Sequence, residues 1–406
     1  MRFSDRQDSR VTSIHLGKYF PPDIGGMETY LRDLMVASLA MKTRSVALVH
    51  QSKPWVKSTD EEYQIDDERL SITRVASWGR FLFTPISPTF PLALRQLIRR
   101  HQPDLLHLHL PNPSAIWALL VPSARRLPWV IQWQSDTLTP KSSWLLRMCY
   151  VLYKPFESAI LRRAERIIVT SPQYLQTSRA LLPFKTGCRI IPLGIKDRFG
   201  KTIPTGEDTI SEGPLQILAI GRLTHYKGFD ILLEAITKTS NAELDLVGSG
   251  EQLSYLKSLS KSLGIEKRIR FHGMVSDATR DSLLRSCDCV CLPSIDRTES
   301  FGIVLLEAMS AGKPCVISEV PGSGMTSLVE PGRSGILVPP EDSSALAEAF
   351  AQFITSRRLL IEMGTRGRKK FERDLTIEAS ARSVVALYNE INTAKADLSN
   401  SPTKYT

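Results

Sequence analysis

The chain has 406 residues, 42% of them hydrophobic, and a formal net charge of +10. A chain of this size holds about two or three domains at the rough prior of 150 residues each, and its six cysteines are too sparse and irregular for a secreted disulfide framework. No apolar run approaches the roughly 18 to 20 residues that span a bilayer, and the polar, charged start Met1 to Arg10 is no signal peptide, so the expected location is the cytoplasm.

In chain order, short β-rich runs at Val11–Leu16, Ser45–Val49, Ser71–Val75, Asp104–Leu108, Trp129–Trp133 and Arg166–Thr170 alternate with helical patterns around Glu28–Ala40, Pro91–His101 and Trp144–Arg163. Runs this apolar suit parallel strands covered on both faces by the intervening helices. Past Pro192–Ile195 the stretch Lys201–Pro214 is rich in Thr, Pro, Gly and acid without hydrophobic period, and reads as a linker. Strands resume at Leu215–Ile220, Glu243–Val247, Arg268–Phe271, Asp288–Leu292 and Pro314–Ser318, so a second α/β unit is expected. A final helix, Thr376–Asn392, places Ile377, Ala381, Val384, Val385 and Tyr388 on one stripe, ahead of a frayed polar tail at Ser399–Thr406. The expected division is 1–197 with 376–392, a linker at 198–214, and 215–375.

Ligands of open parallel sheets sit beyond the carboxyl ends of the strands, which directs attention to the residues after each strand. After the first strand, Gly25-Gly26-Met27-Glu28 opens a helix; paired glycines let amides approach a ligand, and the helix dipole favours a phosphate there, although an ordinary tight turn has the same composition. After Leu215–Ile220 comes Gly221-Arg222-Leu223-Thr224-His225-Tyr226-Lys227-Gly228. A forked guanidinium and a mobile ammonium five residues apart make a clamp for a diphosphate, or else two solvated surface cations. The most specific stretch is Glu299-Ser300-Phe301-Gly302-Ile303-Val304-Leu305-Leu306-Glu307. Glu307 would be an acid inside a buried helix start and would need a partner, while Glu299, on the loop ahead, can accept hydrogen bonds from a polyol.

Glu299-x7-Glu307, preceded by Arg222 and Lys227 and by Gly25-Gly26-Met27-Glu28, resembles family 4 of the retaining glycosyltransferases with the GT-B fold. The likeness runs from about Ser13 to Ile391 and includes His107–Pro113, Thr170–Pro172, Ile191–Ile195, Leu246–Gly250 and Val320–Gly324. It implies two facing Rossmann-like domains with parallel sheets and a last helix crossing back to the N-terminal domain. It further implies a nucleoside diphosphate sugar whose pyrophosphate meets Arg222 and Lys227. The sugar hydroxyls would meet Glu299 and the ribose Glu307, with the backbone of Ser300, Phe301, Gly302 and Ile303 facing sugar and phosphates and the base against Gly273 and Met274. The N-terminal domain would hold the acceptor, with Gly25 and Gly26 near the reaction centre.

One departure matters. After Trp129–Trp133 this chain reads Gln134-Ser135-Asp136, where many relatives carry a histidine that contacts the donor sugar. Gln134 exchanges hydrogen bonds but takes up no proton; the resemblance implies a front-face displacement, in which the leaving phosphate takes the acceptor proton, and such a mechanism survives the change, while His109, at a strand end, is the candidate to cover part of the lost role.

No Asp-x-Asp occurs, so fixed cations are expected in place of a metal, and no cofactor is expected. Cys287, Cys289 and Cys291 alternate on a strand and read as buried structural cysteines rather than zinc ligands. No Gly-x-Ser-x-Gly elbow or P-loop is present. Through residue 200 the chain carries 28 Lys/Arg against 16 Asp/Glu, and beyond it 24 against 26. The resemblance implies a lipid-linked glycan acceptor, and that basic half, with aromatic and aliphatic residues mixed among cations in Lys141–Arg166, suits the anionic inner face of the cytoplasmic membrane; a core helix with basic flanks is the plainer alternative. The resemblance to polysaccharide-assembly members makes GDP-mannose the first expected donor and a UDP-hexose the second. The rivals are a sugar-phosphate or nucleotide-sugar processor, a nucleic-acid-binding protein, which would need no Glu299 or Glu307, and a degenerate transferase kept as a partner subunit.

Overall fold

The computed structural model describes residues 10–23, 25–65, 68–81, 84–138, 144–200 and 213–400. The chain divides into two compact units, one of Met1–Thr170, Ser178–Gly194 and Ile377–Thr406, the other of Ser171–Thr177 and Ile195–Thr376. Residues 201–212 of the expected linker, the expected polar start through residue 9, Lys141 and the tail beyond Asn400 lie outside the described residues. Ser171–Thr177, expected with the first unit, goes with the second. Arg297 donates to the Thr177 carbonyl at 3.0 Å and stacks 4.6 Å over Tyr174, and Thr177 donates to the Gly322 carbonyl at 3.4 Å.

The first unit is built from β1 (Thr12–Leu16), β2 (Arg44–His50), β3 (Thr59–Ile65) and β4 (Glu68–Val75). A small ribbon of β5 (Arg80–Phe81) and β6 (Thr84–Pro85) follows, then β7 (Leu105–Leu110), β8 (Trp129–Trp133), β9 (Arg166–Val169) and β10 (Cys188–Ile190). The sheet order is β10-β9-β8-β7-β1-β2-β4-β3. Every residue of β7 and β8 is buried, as the unbroken apolar reading requires. Two members are unanticipated: the short β10 at one edge and β3, antiparallel to β4, at the other. The β3 sequence Thr-Asp-Glu-Glu-Tyr-Gln-Ile is largely exposed, so it has no apolar period to read, and its charges keep an open edge from pairing with other chains.

The second unit carries β11 (Leu215–Ile220), β12 (Ala242–Val247), β13 (Ile269–Gly273), β14 (Cys289–Leu292), β15 (Cys315–Ser318) and β16 (Gly335–Val338). All neighbours are parallel, in the order β13-β12-β11-β14-β15-β16. Numbered within the unit this is 3-2-1-4-5-6, the doubly wound order whose direction reverses between β11 and β14; ligands of such sheets sit beyond the carboxyl ends of the strands at that reversal. In the first unit the reversal lies between β1 and β7. Cys289 and Cys291 lie in the same hydrophobic core as Ile217 and Leu244, and Cys287 is buried as well, in keeping with the structural reading of these thiols.

The last helix, Ile377–Asn400, runs eight residues past its expected end and belongs to the first unit. Its expected stripe is buried and packs against helix Gly26–Leu39. Tyr30 and Ser380 share a hydrogen bond of 3.0 Å, Ser380 donates to the Pro192 carbonyl at 3.0 Å, and Tyr388 meets His107 Nδ1 at 2.5 Å. Tyr388→Phe leaves the fully buried His107 without a partner at either nitrogen, so it should lower stability by about 1–3 kcal/mol, read as a shift of the urea unfolding midpoint; an unchanged midpoint contradicts this.

Candidate functional site

In the second unit the loops after β11 and β14 flank the strand-order reversal. The loop after β11 turns through a short 3-10 helix, His225–Lys227. Arg222 is exposed and its guanidinium has no ion-pair partner among the described residues. Lys227 behaves oppositely: it is buried, and its Nζ donates to Glu299 Oε2 in a short ion pair. Burial alone would pull the ammonium down, but the Glu299 carboxylate outweighs it and holds Lys227 above its ordinary value. The group therefore stays charged, and the stabilisation from this pairing persists through neutral pH and is lost only as the ammonium titrates in strong base.

Glu299 is positioned from several sides. Its amide donates to the Asp296 carbonyl at 3.2 Å, and Ser294 donates to Glu299 Oε2 at 3.4 Å. Ser323 donates to the Glu299 carbonyl at 2.5 Å and the Gly324 amide to the Ser300 carbonyl at 2.8 Å. The Val320–Gly324 stretch thus serves as the backing of this loop. Phe301 is buried beneath it, and Gly302, at φ +82°, makes a left-handed turn into helix Ile303–Ser310 that a side chain would strain. The amides of the first helical turn, from Ile303, then point out of the helix start.

Glu307 is the single charged residue of that helix. Its side chain is only 13% exposed, and its Oε1 lies 3.5 Å from both Arg198 and Arg280. Arg198 also meets Asp281 at 3.0 Å. Burial pushes the Glu307 carboxyl up, Arg280 and Arg198 pull it back, and Asp281 and Asp277 add to the rise; the net direction is upward. The sequence demands a partner for this acid without revealing which. Arg198 is hidden in the expected linker, and Arg280 lies on a polar helix, Asp277–Ser286, among many cations of equal appearance. Gly273, at φ +65°, ends β13 with its carbonyl bonded to the Gly248 amide at 2.8 Å, and Met274 stands 64% exposed beside it.

In the first unit Gly25 and Gly26 do begin a helix, Gly26–Leu39. The Glu28 carboxylate folds back onto Gly25 so closely that a Cβ there would collide with its Oε2. Burial raises the Glu28 carboxyl, against a hydrogen bond from its own amide and the nearby Lys18. The helix start is thus approached by the chain's own acid, Glu28, with Lys18 nearby.

Gln134 is buried beyond β8, its amide bonded to the Leu110 carbonyl at 3.0 Å and its side-chain nitrogen without a partner among the described residues. His109 is buried with its Nε2 3.1 Å from His15 Nδ1, and burial pulls its pKa down to about 3. Held neutral by burial at physiological pH, it offers one N–H donor and one acceptor nitrogen rather than the extra proton of an imidazolium. His15, His107 and His109 bring one nitrogen each within 4.8 Å of one another, the one group of described residues at metal-ligand spacing. Ser13 and Tyr388 also bond to this trio.

Helix Trp144–Arg163 exposes Trp144, Leu145, Met148, Val151, Leu152 and Phe156, with Arg147, Lys154 and Arg162 also exposed. Only Glu157, Ile160 and Leu161 of its side chains are buried, so it is not the core helix of the plainer reading. No described helix is long and apolar enough to cross a membrane.

Two family models match: a glycosyl transferase 4-like domain over residues 25–194 and glycosyl transferases group 1 over 206–370. The chain is 26% identical over 395 residues to O-antigen chain mannosyltransferase C of Escherichia coli, covering 94% of this chain and 99% of that one. It is 30% identical over 387 residues to a phosphatidyl-myo-inositol mannosyltransferase of Mycobacterium leprae, covering 91% and 94%. Sucrose-phosphate synthase from Thermosynechococcus elongatus superposes with a TM-score of 0.77 at 22% identity, over 95% of this chain and 100% of that chain.

The raised Glu307 carboxyl sets a stability expectation for the ligand-free protein. Above its folded pKa the buried charge is a net cost, relieved as pH falls through that value toward the unfolded one. Glu307→Gln should therefore melt at or above the wild-type temperature at pH 7, with the difference shrinking on acidification; a variant less stable at pH 7 contradicts this.

Proposed function

The chain belongs to the family 4-type, group 1 glycosyltransferases of GT-B fold, and from that premise we propose that it transfers a hexose, with retention, from a nucleoside diphosphate sugar to a lipid-linked glycan of the cell surface or an exopolysaccharide. The observation that carries the reading is the convergence of Arg222, Lys227 and Glu299 on the strand-order reversal of the second unit, with Glu307 buried on the helix that follows.

Arg222 and Lys227 bind the diphosphate, Glu299 the sugar hydroxyls and Glu307 the ribose, while the amides from Ser300 to Ile303 face sugar and phosphates and the base lies by Gly273 and Met274. The bond from the anomeric carbon to the donor phosphate oxygen breaks as the bond to an acceptor hydroxyl oxygen forms on the same face. The acceptor proton passes to the departing phosphate, and the two cations offset the charge that develops there. Neither a metal nor a proton carrier is then needed, which fits Gln134 and a neutral His109. The mannosyl relatives favour GDP-mannose, with a UDP-hexose second. The apolar stripe of helix Trp144–Arg163, beside its cations and in a basic half of the chain, docks on the anionic cytoplasmic face of the membrane.

Turnover of GDP- and UDP-sugars by the purified protein tests this reading. One donor should be consumed saturably and equally with or without EDTA, and Arg222→Ala and Glu299→Ala should each lower turnover by about 100-fold or more. Turnover that EDTA abolishes contradicts metal independence, and a folded protein inert to every donor contradicts the transfer itself. Separately, the protein should sediment with phosphatidylglycerol vesicles and release with rising salt, and Met148→Glu with Leu152→Glu should abolish this. Equal sedimentation of that double variant rules out the helix as the docking face.

A further inference from the structure

Two exposed tryptophans on the rim of the first unit, beyond the carboxyl ends of its strands, have no part in the functions above. Trp55 is 74% and Trp78 54% exposed, with ring centroids 6.1 Å apart and planes inclined by 14°. Large aromatic rings left in water in a near-parallel pair forgo burial that would otherwise stabilise the fold. They are also held in place. Trp55 has φ +64°, a left-handed conformation unusual for a bulky residue, and its amide donates to the Ser77 carbonyl at 2.7 Å. The Trp78 amide donates to the Ile86 carbonyl at 2.9 Å beside the β5–β6 ribbon, and Arg80 donates to the Ser52 carbonyl at 2.9 Å, tying the two loops together.

Their place in the fold points to a ligand. Trp55 follows the carboxyl end of β2 and Trp78 that of β4, and the loop holding Gly25 follows β1; these are successive neighbours in the sheet. β4 is two strand spacings from β1, about 10 Å. Arg80 bridges the interval, its guanidinium 5.2 Å from the Tyr19 ring centre, and the Lys18 ammonium lies 5.6 Å from the same centre. Arg80 thus links the two tryptophan loops to Tyr19, on the chain segment that leads from β1 toward Gly25.

We propose that the Trp55–Trp78 pair is a stacking platform for a sugar ring of the acceptor glycan, a subsite that deepens, and rests on, the transferase reading. A hexose presents C–H groups on its ring faces and hydroxyls at its edge. The negative face of an indole attracts the former and the solvent-facing rim leaves the latter hydrated. A membrane anchor would require exposed aromatics but neither their parallel planes nor the left-handed backbone that fixes Trp55.

Calorimetric titration of the full-length protein with mannotetraose, maltotetraose and cellotetraose, and with GDP and UDP in parallel, tests the platform. At least one tetrasaccharide should bind saturably, and Trp55→Ala with Trp78→Ala should weaken it by at least about fivefold, while Trp78→Phe keeps most of the affinity and nucleotide binding is unchanged. The proposal is overturned by tetrasaccharide binding that the double variant retains, by the absence of any such binding, or by a double variant that loses vesicle sedimentation instead. Failure of the nucleotide arm alone would refute the transferase reading while the saccharide arm still decides the platform.

Discussion

The Lys227–Glu299 ion pair is the contact on which the second unit's crevice depends. It joins the loop after β11 to the loop after β14 across the reversal of strand order, and both partners are largely withdrawn from water. Taking two charges out of water is costly, so such a pair is poor insulation but a good latch: removing one partner leaves the other buried and unpaired, at a typical cost of about 3–5 kcal/mol. In the proposed reading, a diphosphate arriving at the loop would offer Lys227 a second anion and release Glu299 toward the sugar hydroxyls. Lys227 and Glu299 satisfy each other, while Arg222 is exposed and without an ion-pair partner among the described residues.

Around that latch the supports are backbone contacts rather than further charges. Ser323 and Gly324 hold the carbonyls of Glu299 and Ser300, and Gly302 turns the chain into a helix whose interior acid is answered by Arg198 and Arg280. The first unit repeats the logic with neutral groups. Its strand-order reversal is bordered by Gln134 and by histidines kept uncharged by burial, an arrangement suited to exchanging hydrogen bonds rather than protons.

Most of this fold was legible because parallel strands buried on both faces announce themselves as apolar runs. Trp129–Trp133 and Leu215–Ile220 have the bounds expected of them, and the stripe of the last helix is buried as its spacing required. What escaped was polar or short. β3 has no apolar period, β16 is four residues long, and Ser171–Thr177 joins the second unit through contacts with Arg297 and Gly322 that no local pattern encodes. At the site, the motif residues could be singled out one at a time, but their pairing could not. The sequence shows a cation and an acid 72 positions apart, and only the fold closes Lys227 on Glu299 or selects Arg198 and Arg280 for Glu307.

The claim that Lys227 is a diphosphate clamp held in reserve by Glu299 is tested most directly by calorimetric titration of GDP and UDP against Glu299→Gln and Lys227→Met. If the latch account holds, Glu299→Gln binds the preferred nucleotide at least as tightly as the wild type, because the freed ammonium seeks an anion, and Lys227→Met binds it at least about tenfold more weakly. Equal weakening in both variants would contradict it and make the pair a structural strut.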